Sequence, residues 1–126
     1  MNSTKSTFET LEVWKAGRDL RQEISSLARS LPSPEKFRLG DQLIRASRSV
    51  TANIAEGHGR YHYQENIQFC RQARGSLYEL LDHLTVALEE NYMSEEKFGI
   101  LKNSIFDAIK LLNGYISYLT KRKSIT

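Results

Sequence analysis

Only two prolines interrupt this chain, and both fall in the single stretch Leu31-Pro-Ser-Pro-Glu-Lys-Phe37. Proline removes a backbone donor and breaks helices, so the chain beyond Pro34 carries no such block. Apolar residues recur there at spacings of three and four, the period of a helix face rather than of a strand. The first predicted helix runs from about Thr10 to Leu31, with Val13, Ala16, Leu20, Ile24, Leu27 and Leu31 on one stripe and Phe8 and Leu11 in an extended lead-in. Pro32 ends it. Ser33 then offers an N-cap, Pro34 suits the first helical position, and Glu35 lies where the helix dipole favours a carboxylate.

The second predicted helix continues without a break from this start. It gathers Leu39, Leu43, Ala46, Val50, Ile54 and Gly57 on one side and Arg38, Arg45, Arg48 and Ala52 nearly opposite, so the arginines face outward. Gly57 and Gly59 are expected to close it in the left-handed conformation that glycine adopts freely. The third helix, from about Tyr61 to Asn91, carries Tyr63, Asn66, Cys70, Ala73, Leu77, Leu81, Leu84 and Leu88 on a continuous face. Ser94 is the expected N-cap of the fourth, with Glu95 and Glu96 in its first turn, and that helix buries Phe98, Leu101, Ile105, Ala108, Ile109, Leu112, Ile116 and Leu119. Short connections between long helices imply an all-α, antiparallel up-down four-helix bundle. One domain spans 1–126, with residues 1–9 a flexible lead-in and 121–126 a flexible, frayed basic tail.

A chain of 126 residues can bury one core. It has no apolar run near the ~20 residues that span a bilayer and no signal-peptide pattern at its start, so it is expected to be soluble and cytoplasmic, with no membrane partner. Cys70, the single cysteine, cannot form an internal disulfide and reads as a small core residue ahead of a reactive thiol. The net charge of +3 matters less than its distribution. Residues 1–35 balance; 36–75 carry seven positive against three negative; 76–107 carry two against seven; 108–126 add four positive and none negative. The molecule is electrically lopsided, and one end should attract polyanions.

Enzymatic chemistry is mostly absent from the pattern. A di-iron bundle needs two Glu-x-x-His motifs, and here Glu79, Asp82 and His83 come one place out of register, with no second motif. His58 and His62 are two ligands, too few for a closed zinc site, and read as surface histidines. No histidine has an arginine four to seven residues ahead of it, as some helical ribonucleases require, and no phosphate loop or nucleophile elbow occurs. No catalytic residue, metal site or cofactor is therefore expected. At the end of the second helix Asn53 and Glu56, with Gly57, Gly59 and Arg60, form a polar corner. A carboxylate near a helix C-terminus needs compensation, so the first reading is a clamp between the second and third helices, and direct ligand contact is the alternative. The fourth helix carries a second stripe, Ile100, Ser104, Leu111, Tyr115 and Tyr118, which reads as a subunit interface; the alternative is a wide buried face or scattered surface aromatics.

The blocks Ser49-x-x-x-Asn53-Ile-Ala-Glu-Gly-x-Gly-Arg60 and Phe69-x-x-x-Ala73-x-Gly-Ser-x-x-Glu79-Leu80 resemble the four-helix-bundle proteins first noted as reading frames in intervening sequences of bacterial 23S ribosomal RNA genes. The early Phe8-Glu-Thr-Leu-Glu-Val-Trp-Lys-Ala-Gly17 resembles the family's opening, so the likeness covers nearly the whole chain. It implies a bundle without known enzymatic chemistry that assembles as a ring, a homopentamer. It also implies a relationship to the accessory proteins of diversity-generating retroelements, which bind RNA or DNA and a reverse transcriptase.

Taken together, the expected function is non-enzymatic nucleic-acid binding, RNA ahead of DNA, with Arg38, Arg45, Arg48, Arg60, Arg71 and Arg74 supplying phosphate contacts and all of these but Arg38 placed to form one patch. The competing expectation is a structural or protein-interaction ring, and an accessory role beside a reverse transcriptase lies between the two.

Overall fold

The computed structural model describes residues 7–125. A 3₁₀ turn, Phe8–Thr10, precedes α1 (Glu12–Arg29), the single-turn α2 (Ser33–Lys36), α3 (Leu39–Gly59), α4 (Tyr63–Glu89) and α5 (Glu95–Ile125). The four long helices pack in chain order, α1 on α3, α3 on α4 and α4 on α5, and α1 against α5 closes the square. This is the antiparallel four-helix bundle that the spacing requires. Its interior is filled largely by the predicted stripes, with Ile24, Leu43, Ile54, Leu77, Leu84, Leu101, Ile105 and Leu112 essentially inaccessible, and by Leu80, which lies on none of them, while Ala16, Leu81, Leu88, Phe98 and Ile116 are only partly buried.

The lead-in is more structured than expected from Thr7 onward. Thr7 caps the 3₁₀ turn by accepting from the Glu9 amide, and Phe8 meets Trp14 edge-on at 5.2 Å. Trp14 in turn lies beneath the guanidiniums of Arg18 and Arg21. Residues 1–6 of the expected flexible lead-in lie outside the described residues.

The second predicted helix is broken. Pro32, not Ser33, occupies the N-cap position of α2, and no side chain caps it; the Glu35 and Lys36 amides bond the Pro32 carbonyl instead. The chain then leaves helical geometry at Arg38 (φ −114, ψ −90) before α3 begins. The corner is closely packed. Leu31 and Leu39 are both buried, on opposite sides of the corner, while Phe37 between them is 85% exposed. Gly40 fits against the Glu35 carbonyl, where an added Cβ would lie 3.3 Å away.

The closing of α3 also differs from expectation. Gly57 and Gly59 stay helical, and the left-handed residue of the turn is Tyr61 (φ 60). Gly57 is needed for another reason: a Cβ there would come within 2.7 Å of Asn66 Oδ1 and 2.9 Å of Phe69 Cβ, so only glycine lets α4 approach this closely. At the other end of α4 the chain passes through Asn91 (φ 63), and Ser94 caps α5 as predicted, its Oγ accepting from the Lys97 amide at 3.1 Å. The tail does not stop at Thr120. α5 continues through residues 121–125, with Arg122 and Lys123 in its last turn, where cations complement the dipole.

Candidate nucleic-acid interface

Three outward-facing features of the bundle carry the residues singled out in the sequence. The first is a groove of about 630 Å³ between α3 and α4, lined by Gln42, Arg45, Arg48, Ser49, Glu79 and His83. Because α3 buries Leu43, Ala46 and Val50, its period swings Arg45 and Arg48 to the solvent side. Arg45 is weakly tethered, its Nη1 lying 3.6 Å from Asp41 Oδ2 on the same exposed face. Arg48 also borders a smaller recess toward α1, beside Arg21, whose Nη1 donates to Thr51 Oγ1 at 2.8 Å. On the α4 wall His83, largely covered, holds its Nε2 3.1 Å from Glu79 Oε2. Arg21 and His83 were both missed by the sequence reading. Arg21 has a hydroxyl partner thirty residues away, which leaves no local signature, and His83 is weighed in the sequence only as a metal ligand or a catalytic histidine.

The second feature is the polar corner. Asn53 Nδ2 donates back within α3 to the Ser49 carbonyl and to Ser49 Oγ, and Ser49 Oγ meets Ser76 Oγ at 2.9 Å across the seam to α4. Glu56 Oε2 accepts from Arg60 Nη2 at 2.7 Å, Arg60 Nη1 lies 3.8 Å from Glu65 Oε2, and the guanidinium sits 5.0 Å over the Phe69 ring. Arg60 therefore links α3 to α4 at this corner, and Glu56 is tied to α4 through it. Both side chains are about half exposed, which makes this a surface pair.

The five arginines expected in one patch are divided between two flanks of α4. Arg45 and Arg48 share the groove. Arg74 donates to Asn113 Oδ1 of α5 at 2.7 Å, which places it on the opposite flank of α4. Arg71 is exposed along α4, Arg38 stands at the head of α3, and Arg60 is engaged in the corner.

The third feature is the outer face of α5. Ile100, Leu111 and Tyr118 are exposed there. Tyr115 is not: its hydroxyl accepts from Asn66 Nδ2 at 3.2 Å, and burial pushes its ionisation above the usual tyrosine range. It belongs to the packing between α4 and α5. Phe106 and Tyr78, also exposed, pair edge-on at 6.3 Å on the other side of α5 and escaped the sequence reading because they fall on neither stripe. Cys70 is fully buried, and burial pushes its thiol up to about 12, so it is a core residue. Among the described residues, no helix is long and apolar enough to cross a membrane, and no group of three or more His, Cys, Asp or Glu is gathered to hold a metal ion.

Residues 9–114 match the model of the 23S rRNA-intervening sequence protein family. The chain belongs to that family. A search of curated proteins gave no significant match. In three dimensions the bundle is similar to the 1.70 Å crystal structure of a protein of unknown function from the S23 ribosomal protein family of Bacteroides thetaiotaomicron, with a TM-score of 0.76 and 23% identity. The alignment covers 82% of this chain and 97% of that one. At that identity the likeness establishes the shared bundle. The family match takes in the corner, the groove and most of α5, and it leaves the basic end of α5 outside.

Proposed function

We propose that the protein is a non-enzymatic nucleic-acid-binding bundle that engages phosphate backbones through Arg45 and Arg48. The observation that carries this reading is the groove they border: two exposed guanidiniums on one helix face, one loosely tethered, beside the polar side chains of Ser49, Gln42 and His83. Arginine presents a planar fork suited to phosphate, and exposed, weakly paired arginines lose little on exchanging a carboxylate for one. The family's setting in 23S ribosomal RNA makes RNA, ahead of DNA, the partner to test. No catalytic residue, metal or cofactor is assigned.

A gel shift with structured RNA at roughly 50 mM salt, where phosphate contacts are strong, tests the reading. Arg45→Glu with Arg48→Glu should remove the shift while helicity and mass stay unchanged. Arg71→Glu with Arg74→Glu, on the other flank, should weaken it less. A wild-type protein that gives no shift under these conditions removes the nucleic-acid reading.

A second reading has its own support. Ile100, Leu111 and Tyr118 leave a run of apolar surface along α5, which favours a homo-oligomer, a ring of five in the proposal. Such a ring would serve as a protein-interaction scaffold, or as an accessory to a reverse transcriptase if it also binds nucleic acid. Light scattering tests it: a monomer mass at micromolar concentration overturns the ring, whereas Leu111→Glu should dissociate it without unfolding the bundle.

A further inference from the structure

Where α3 turns into α4 and α5 finishes, a notch of about 280 Å³ opens among Tyr61, Tyr63, Tyr115, Tyr118, His58 and His62. Its most unusual member is Tyr61. An aromatic residue at φ 60 is strained, and its ring gains nothing from the core in return, being 90% exposed. Glycine would make the same turn without strain, so what this residue adds is a ring held out at the rim.

The floor of the notch is fixed. Asn66 is 8% exposed and donates to the Tyr115 hydroxyl, and the Tyr115 ring lies nearly parallel to that of Tyr118, 6.3 Å away with 13° between the planes. Tyr118 is itself half exposed, so it can offer a ring face to the notch. One cation reaches its edge through Tyr63, and a second follows it on α5. Arg122 lies beside the Tyr63 hydroxyl, which favours its charged form, and Lys123 donates to Gln64 Oε1. Planar faces with polar edges and a cationic rim are what single-stranded nucleic acids use: an unstacked base lies on the ring while the phosphates follow the positive charge.

We propose that this notch takes an unpaired nucleobase of a single-stranded RNA segment, stacked on Tyr61 and Tyr118. The inference rests on the nucleic-acid reading above and adds a second mode of contact to it, base stacking at the end of the bundle beside phosphate binding along α3. A base inside a duplex has no free face to offer, so the notch would select for loops, bulges and strand ends.

Fluorescence anisotropy with a labelled oligoadenylate, and with an abasic strand of the same length, tests it. The two strands carry the same phosphates and differ only in their bases. The wild-type protein should bind the oligoadenylate ~10-fold more tightly than the abasic strand, the scale of one base stacked on an aromatic side chain. Tyr61→Gly, which removes the ring and relaxes the backbone, should fold at least as stably and lose that preference, with its affinity for the abasic strand unchanged. Tyr61→Phe should keep it. If the wild-type protein binds both strands equally, or if Tyr61→Gly retains the preference, the stacking proposal is overturned while phosphate binding stands. If Tyr118→Ala changes the mass by light scattering while leaving the preference intact, Tyr118 is a subunit contact and the proposal is overturned. If neither strand binds at roughly 50 mM salt, both the proposal and the reading beneath it fail.

Discussion

Both ends of α4 are joined to their neighbours through one left-handed residue, and the two ends are built differently. At the far end the residue is Asn91, which tolerates that region. The Tyr92 amide then bonds the Ala87 carbonyl, the Tyr92 hydroxyl donates to Glu35 of α2 at 2.9 Å, and Ser94 caps the next helix. Every step there uses a residue suited to it. At the near end the left-handed residue is Tyr61, the His62 side chain at the N-cap position of α4 makes no capping bond, and the joint to α3 is the exposed arginine Arg60. The far end reads as architecture alone. The near end accepts strain and leaves polar and aromatic groups in solvent, the condition in which function is worth seeking.

The sharpest way to break this comparison is at Gly57, a residue of the near end whose role is close packing of α3 against α4. Gly57→Ala would push a methyl into Asn66 Oδ1 and Phe69, at 2.7 and 2.9 Å, and should destabilise the fold by about 1–3 kcal/mol, the range for overpacking. Gly59→Ala is the control. Nothing lies within 4 Å of its added Cβ, so replacing a helical glycine should stabilise by up to about 1 kcal/mol. Urea denaturation of the two variants reads both. Equal effects would mean that α3 and α4 are not held at the distance seen here.

Next in size is the cap. Ser94→Ala removes the oxygen that accepts from the Lys97 amide and should cost about 1 kcal/mol. His62→Ala, at the corresponding position of α4, has no such bond to lose and should change stability by less than about 0.5 kcal/mol. Thermal melts distinguish the pair, and a large loss at His62 would show that the near end is as firmly built as the far one.

These contrasts mark what could be read from the residues alone. The stripes through Leu20, Leu43, Leu77 and Leu112 were legible because burial on a helix repeats every three or four positions. The Ser94 cap was legible because serine before two glutamates is a local pattern. The break at Arg38 was not, since neither a proline nor a glycine stands at that position to mark it. The glycines at 57 and 59 pointed to the right corner for the wrong reason: their conformational freedom is visible in a sequence, whereas the close approach of Asn66 and Phe69 is not. The arginines of the proposed interface were legible as outward-facing residues. Their division between the α3–α4 groove and the α5 flank was not, because Arg74 is placed by Asn113, thirty-nine residues on.

A smaller effect should appear at the left-handed residues themselves. Tyr61→Gly relieves a strained backbone and should stabilise by about 0.5–1 kcal/mol, while Asn91→Gly should lie within a few tenths, since asparagine already tolerates that region. Both are read in the same denaturation experiment. A loss at Tyr61→Gly would mean that its ring is packed against something in solution, and the contrast between the two ends would weaken.

The smallest effect is expected at Glu56, and its size bears on whether the corner is open to solvent. Its pair with Arg60 spans one turn of a single helix, and both side chains are about half exposed. Exposed pairs of this spacing contribute about 0.3–0.5 kcal/mol, so Glu56→Ala should lower stability by no more than that, and added salt should erase most of the difference. The measurement has a second use. Removing one partner of a buried charged hydrogen bond costs about 1.5–3 kcal/mol, far above what this geometry allows for the isolated chain. A loss of that size, vanishing on dilution to a monomer, would place the corner inside a subunit contact and turn its unsuited residues from a ligand site into an assembly joint. A loss of a few tenths at every concentration leaves Glu56 and Arg60 at the surface, beside the ring of Tyr61.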